Sequence, residues 1–161
     1  MGKEAKTNAM RMLEKKKIKY EVLQYECDEF IDGLHTSEMN NTPPEQSFKT
    51  LVMRGKSGQH YVFVLPVAEE TDLKKAARAA GEKSMEMIHV KELTPLTGYV
   101  RGGCSPLGMK KLFTTFIHSS ALDFAEIYVS GGRIGLSLKV APQDLAGVTG
   151  AKFADIIAEK A

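Results

Sequence analysis

Apolar and polar positions alternate most plainly in "SFKTLVMRGKSGQHYVFVLPV", residues 47–67. Two runs rich in β-branched and aromatic residues flank the polar, glycine-bearing "GKSGQ", a pattern that predicts a β-hairpin. Alternation sets Phe48, Thr50 and Val52 on one face of the first strand and Lys49, Leu51 and Met53 on the other. Both faces are largely apolar, as expected of a strand in the middle of a sheet. A period of three to four residues governs "TDLKKAARAAGEK", where Leu73, Ala76, Ala77 and Ala80 form one stripe. Asp72 or Thr71 can cap that helix, and Gly81 suits the left-handed position after its end.

The same periods organise the remainder. "TNAMRMLEKKKI" predicts a helix capped by Thr7, with Lys15 to Lys17 at the negative end of its dipole. "KYEVLQY" reads as a strand. From Glu26 to Gln46 the pattern is poor, with a short helix around Thr36–Asn40 before Pro43 and Pro44. "SMEMI" predicts a strand and "VKEL" a helix limited by Pro95, since the residue before a proline disfavours α geometry. "KLFTTFI" is a strand, "SALDF" a helical turn, and "EIYVS" and "IGLSLKV" are strands joined by "GGR". Pro142 fits the first position of a helix in "PQDLAGV". The end, "AKFADIIAEKA", is a short strand or a helix. Strands outnumber long helices and short turns join several of them. The reading is therefore an α/β (α+β) fold with a mixed, largely antiparallel sheet, not a doubly wound parallel one.

Composition narrows the class. The 161 residues favour a single domain spanning 1–161, with enough chain for one core. No apolar run approaches the roughly 20 residues that cross a bilayer. The start "MGKEAKTNAM" lacks the apolar centre of a secretion signal, so the expected location is the cytoplasm, with no membrane partner. A net charge of +2 is too mild for a protein that coats DNA, but it permits a local basic patch. Cys27 and Cys104 are far apart in sequence and make neither a zinc site nor a disulfide framework. The four histidines, His35, His60, His89 and His118, show no paired spacing, so no metal and no cofactor are expected.

Chemistry concentrates in "GYVRGGCSPLGMKK", residues 98–111, which holds four of the chain's fourteen glycines beside Arg101, Lys110 and Lys111. Glycines let a backbone turn sharply and come close to a ligand, and the cations point to an anionic one. It is not a nucleotide-hydrolysing loop: Met109 and Lys110 stand where Lys and then Ser or Thr belong. Cys104 has cations nearby in sequence that would lower a thiol's pKa, set against a plain packing role under the turn. Lys49 shares a face with Leu51 and Met53. It either snorkels at the strand's start or sits in a pocket, where an ammonium would stabilise negative charge developing on a carbonyl.

Taken together, "KTNAMRMLEKKKI", "FKTLV", "TDLKKAARAAGEKSMEM", "TGYVRGGCSPLGMKK", "EIYVSGGRIGL" and "AKFADI" resemble, in order and spacing, the YbaK/EbsC family. The resemblance is strongest to its Cys-tRNA(Pro) deacylase branch, the prolyl-tRNA synthetase-associated editing domains. It implies a partly closed sheet of about six or seven strands surrounded by helices. It also implies an enzyme that hydrolyses the ester of mischarged tRNA, chiefly Cys-tRNA(Pro), through attack by the substrate's own thiol. An aminoacyl-tRNA presents a 3′-terminal adenosine whose ribose carries that ester.

By the same resemblance, Lys49, Gly102 and Gly103 are the catalytic positions. Tyr25, Phe30, Thr50, Ser105, Pro106, Ser130 and Gly131 form the substrate pocket. Arg101, Lys110, Lys111 and Arg133 are candidates for the tRNA phosphates, contacts that carry no sequence information. Ser137 stands where some relatives have an aspartate. The implied partners are aminoacyl-tRNA, with tRNA(Pro) foremost, and prolyl-tRNA synthetase in a transient complex. Two rivals stay open: a deacylase for alanine or serine, and a non-catalytic module that binds tRNA ends or a synthetase.

Overall fold

The computed structural model describes residues 6–24 and 42–159. Tyr25, Phe30, Cys27, His35 and the short helix expected at Thr36–Asn40 lie outside the described residues.

The central hairpin forms as the alternation requires. Strand β2 (Phe48–Gly55) pairs antiparallel with β3 (His60–Pro66), from Phe48 opposite Pro66 to Arg54 opposite His60. Gly58 turns the connection with a φ of 94°. Residues of β3 leave alternately to the two faces of the sheet, and both faces are covered, so almost every position is buried. Tyr61, Phe63 and Leu65 pack with Met53 and Phe116 beneath Ala76 and Ala77 of the helix α2 (Leu73–Ala80). Val62 and Val64 pack on the opposite side with Phe48, Val52 and Ile117. Each such large side chain contributes roughly 1.5–3 kcal/mol relative to its exposed state.

The hairpin lies within a five-stranded sheet of order β4-β2-β3-β5-β8, where β4 is Met85–Met87, β5 Thr114–His118 and β8 Lys152–Ala154. β4 runs antiparallel to β2, whereas β5 runs parallel to both β3 and β8. A second sheet, antiparallel throughout, has the order β1-β7-β6, with β1 Glu21–Gln24, β6 Ile127–Ser130 and β7 Leu136–Val140. The mixed, largely antiparallel class is the expected one. The strands nevertheless divide into two sheets that are not closed. Among the described residues a single parallel bridge, Ser47 to Tyr128, joins them, supported by the Tyr128 amide donating to the Gln46 carbonyl at 3.0 Å.

Local signals set the helix ends. In α1 (Asn8–Lys15) the Thr7 hydroxyl accepts from the Met10 amide, and in α2 the Asp72 carboxylate accepts from the amides of Lys74 and Lys75. Gly81 closes α2 with a φ of 73°. α4 (Pro142–Thr149) begins at the proline, which sits where the helix needs no amide donor. α3 (Val90–Thr97) departs from expectation because it runs through Pro95 and ends at Gly98. The proline removes the hydrogen bond to the Lys91 carbonyl, and both residues are exposed, so water can replace it. No helix among the described residues is long and apolar enough to cross a membrane.

Candidate active site

The sheet arrangement leaves a gap along one edge of β2. On one side β2 is fully paired with β3. On the other, β4 pairs only from Met53 to Gly55, and β6 meets the strand only at Ser47. Phe48 to Val52 therefore have no ladder partner on that edge among the described residues. The gap is a cleft of about 440 Å³, within the range of small-molecule sites. Five consecutive residues of β2, Phe48 to Val52, line it. Side chains of a strand alternate between faces, so consecutive lining means that the cleft wraps round the strand's edge.

Lys49 lies on this edge, half-buried and on the face of Leu51 and Met53, as alternation predicts. Burial pushes its pKa below the ordinary lysine value, and Glu70 and Glu69 offset part of that push. Thr50 also lines the cleft, and its hydroxyl is buried without a hydrogen-bond partner. Burying a hydroxyl without a partner is costly, so this group is poised for one supplied from outside the chain.

The bend after α3 also borders the cleft. Tyr99 donates its hydroxyl to the Leu107 carbonyl at 2.6 Å, and the Lys110 amide donates to the Thr97 carbonyl at 3.0 Å, so the loop closes on itself. Gly102 lines the cleft with a φ of 85°, a left-handed conformation that suits glycine. Gly103 has a different role from its neighbour. Its amide donates to the Val100 carbonyl at 2.9 Å and is not free for an oxyanion. Its missing Cβ matters instead, because a methyl there would meet the backbone of Arg133 and Ile134 at 3.1 Å.

Ser130 and Ser137 face each other across β6 and β7, and both line the cleft. Arg101 stands exposed at the rim. Other expected residues lie elsewhere. Ser105 is fully buried, and its hydroxyl accepts from the Leu107 amide as a turn-former. Pro106 lines a small hollow against Met12 of α1. Gly131 is buried where a Cβ would meet Leu136 at 2.8 Å. Lys110 and Lys111 are exposed and do not line the cleft, nor does Arg133.

Cys104 lines the cleft, but burial raises its thiol pKa to about 12, so it stays protonated at neutral pH. The three cations near it in sequence are exposed, and desolvation outweighs them. The packing role is therefore the right one of the two. Sequence reasoning missed Tyr128, the buried Thr42–Ser47 hydroxyl pair at 2.7 Å, and the wall formed by Met87 to Val90 with Leu93. Nothing local marks them, because the contact of residue 47 with residue 128 exists only in the folded chain. Among the described residues no carboxylate lines the cleft, and its lysine and arginine are Lys49 and Arg101.

Residues 35–148 match the family model described as "Aminoacyl-tRNA editing domain". The chain belongs to that family. The YbaK/EbsC resemblance is thus borne out. The editing domain is 41% identical over 152 residues to a protein of Enterococcus faecalis (strain ATCC 700802 / V583) named "Putative Cys-tRNA(Pro)/Cys-tRNA(Cys) deacylase EbsC", covering 94% of this chain and 93% of that one. Among solved structures, it is similar to "a putative trans-editing enzyme for prolyl tRNA synthetase", with a TM-score of 0.82, 24% identity, and 97% of this chain against 100% of that one covered. A second, "hypothetical protein APE2540", has a TM-score of 0.86 at 20% identity over 94% of this chain and 100% of that one. At such identities these two establish the shared fold.

Proposed function

We propose that this aminoacyl-tRNA deacylase clears cysteine from mischarged tRNA(Pro) in the cytoplasm, acting as one domain. The observation that carries the reading is the placement of half-buried Lys49 and the Gly102 bend on one cleft whose only described cysteine is held neutral. The name of the Enterococcus relative supports the choice of amino acid. In the cleft the substrate's own thiol attacks its carbonyl carbon. The bond to the ribose oxygen breaks, the thiol proton passes to that oxygen, and a cyclic thiolactone leaves to be hydrolysed by water. The attacking and attacked atoms share one small residue, so the enzyme supplies orientation and charge stabilisation in place of a nucleophile.

Lys49 supports the negative charge that develops on the carbonyl oxygen, and the amide of Gly102, which lines the same cleft, assists. Thr50, Ser130 and Ser137 fit the small polar acyl group by shape and hydroxyl contacts. Selection of tRNA(Pro) comes from a transient complex with prolyl-tRNA synthetase, since the chain's mild charge gives little affinity for RNA bodies. The test is a time course of ester loss from labelled Cys-tRNA(Pro). Lys49→Ala is expected to lower the rate about 10²–10³-fold with the fold intact. Full activity in that variant removes Lys49 from the mechanism, and equally fast loss from Ser-tRNA rules out the substrate's thiol as the nucleophile.

A further inference from the structure

The free edge of β2 has a defined polarity. In an antiparallel pair, residues alternate between those bonded to the partner and those whose amide and carbonyl point away from it. The Val67 amide donates to the Ser47 carbonyl at 2.8 Å, and the Gly55 amide to the Gln59 carbonyl at 2.9 Å. Given the register, the odd-numbered residues of β2 are bonded to β3. Thr50 and Val52 therefore aim their backbone groups at the opposite edge. That edge faces the cleft and, among the described residues, has no strand beside it until Met53. In chain order it offers the Thr50 carbonyl, an acceptor, and then the Val52 amide, a donor.

A second feature lies next to this pair. β4 begins pairing at Met53 opposite Met87, so the wall from Met87 to Val90 stands beside Val52. Met87 and Val90 line the cleft, yet they are 49% and 63% exposed. Apolar side chains left open beside an unpaired acceptor and donor suit a flat ring with polar atoms on one edge.

We infer that the Thr50 carbonyl and the Val52 amide form a backbone clamp for an amino-bearing nucleobase, seated against Met87 and Val90. The ligand must present a donor and then an acceptor. Adenine does so with its 6-amino group and N1, and cytosine with its 4-amino group and N3. In the orientation that adenine takes, guanine and uracil present a carbonyl and then a ring N–H, which sets acceptor against acceptor and donor against donor; turned over or shifted along the edge they match the clamp, but the ribose then leaves from a different place. Unstacked bases at RNA ends are commonly read in this way, on their Watson–Crick edges. Resting on the reading of the chain as an aminoacyl-tRNA deacylase, the occupant is the 3′-terminal adenosine, whose ribose carries the ester. The clamp then sets the ester's distance from Lys49, one residue before Thr50.

The clamp is tested first by titrating adenosine, cytidine and purine riboside into the ¹⁵N-labelled chain. Adenosine and cytidine should shift the Val52 amide resonance, and purine riboside, which lacks the amino donor, should bind more weakly. Next, Cys-tRNA(Pro) ending in adenosine, purine riboside or inosine is compared in the deacylation assay. Loss of the 6-amino group should lower kcat/KM about ten-fold, and inosine should lower it further. Val52→Pro removes the cleft-facing amide and spares the bonds to β3, which use other residues, and it also replaces a buried core side chain; it should raise KM for the adenosine-terminated substrate.

Equal kcat/KM for all three termini, or a Val52 amide that ignores adenosine, overturns the clamp even where Val52→Pro does not fold. Failure of the functional reading looks different: no ester loss from the adenosine-terminated substrate, with the amide titration still deciding the clamp.

Discussion

Gly103→Ala separates two roles that a glycine loop can have. The residue's φ is not in the left-handed region, so an added methyl creates no backbone strain. It does create a collision, with Arg133 Cα, Arg133 C and Ile134 N all at 3.1 Å. All three are backbone atoms and cannot swing aside as a side-chain end would. The turn between β6 and β7 or the loop from Gly98 to Lys111 must shift by a few tenths of an ångström. Overpacking of this kind costs about 1–3 kcal/mol. With a shift this small, the lower half of that range applies, and a chain of this size then loses roughly 2–8 °C in Tm.

Gly102 is the next residue and lines the cleft, so the same shift should lower kcat/KM for deacylation. Gly147→Ala is the control. Gly147 lies within α4, with nothing within 4 Å of the added methyl. Replacing a glycine inside a helix should raise stability by about 0.5–1 kcal/mol. The measurements are thermal melts by circular dichroism and a time course of ester loss. A Gly103→Ala protein with the parent Tm and parent rate refutes the steric account. A normal Tm with lost activity implicates the Gly103 amide in catalysis, despite its bond to Val100.

Lys49→Met should raise Tm at pH 7 while lowering the deacylation rate as Lys49→Ala does, because a lysine with a depressed folded pKa costs stability while it is charged in both states. The folded chain releases that proton first, so the gain should shrink as pH rises through the folded pKa toward the ordinary lysine value; melts across pH check it, and a constant gain would contradict the burial argument. Cys104→Ala should retain deacylase activity, and Cys104 in the native protein should resist iodoacetamide at pH 7.5 in peptide mapping, since its pKa is near 12. Rapid labelling or loss of catalysis would restore the thiol as a candidate. Asp72→Ala leaves the Lys74 and Lys75 amides without their cap, at a cost of about 1 kcal/mol. A chemical-denaturation curve with an unchanged midpoint would show that the cap contributes nothing.

What the sequence determined by itself is local. Thr7, Asp72, Gly81 and Pro142 fix helix ends because a cap acts on amides and carbonyls within four residues of itself. The alternation of residues 47–67 fixed the hairpin and placed Lys49 with Leu51 and Met53, because strand side chains repeat every two residues. The family motifs found Lys49, Thr50, Gly102 and Ser130, which all line the cleft.

The tertiary structure decided what depends on distant neighbours. Alternation says nothing about which edge of β2 stays open; that follows from β4 starting its pairing at Met53 and from β6 touching only Ser47. Cys104 looked electropositive along the chain, yet burial prevails, because desolvation depends on what packs around a thiol and not on what precedes it in sequence. Ser105, Pro106 and Gly131 belong to the same motifs as the cleft residues but lie beneath the surface, holding the bends in place. A motif records that the bends recur; only packing shows which of their atoms reach the substrate's side.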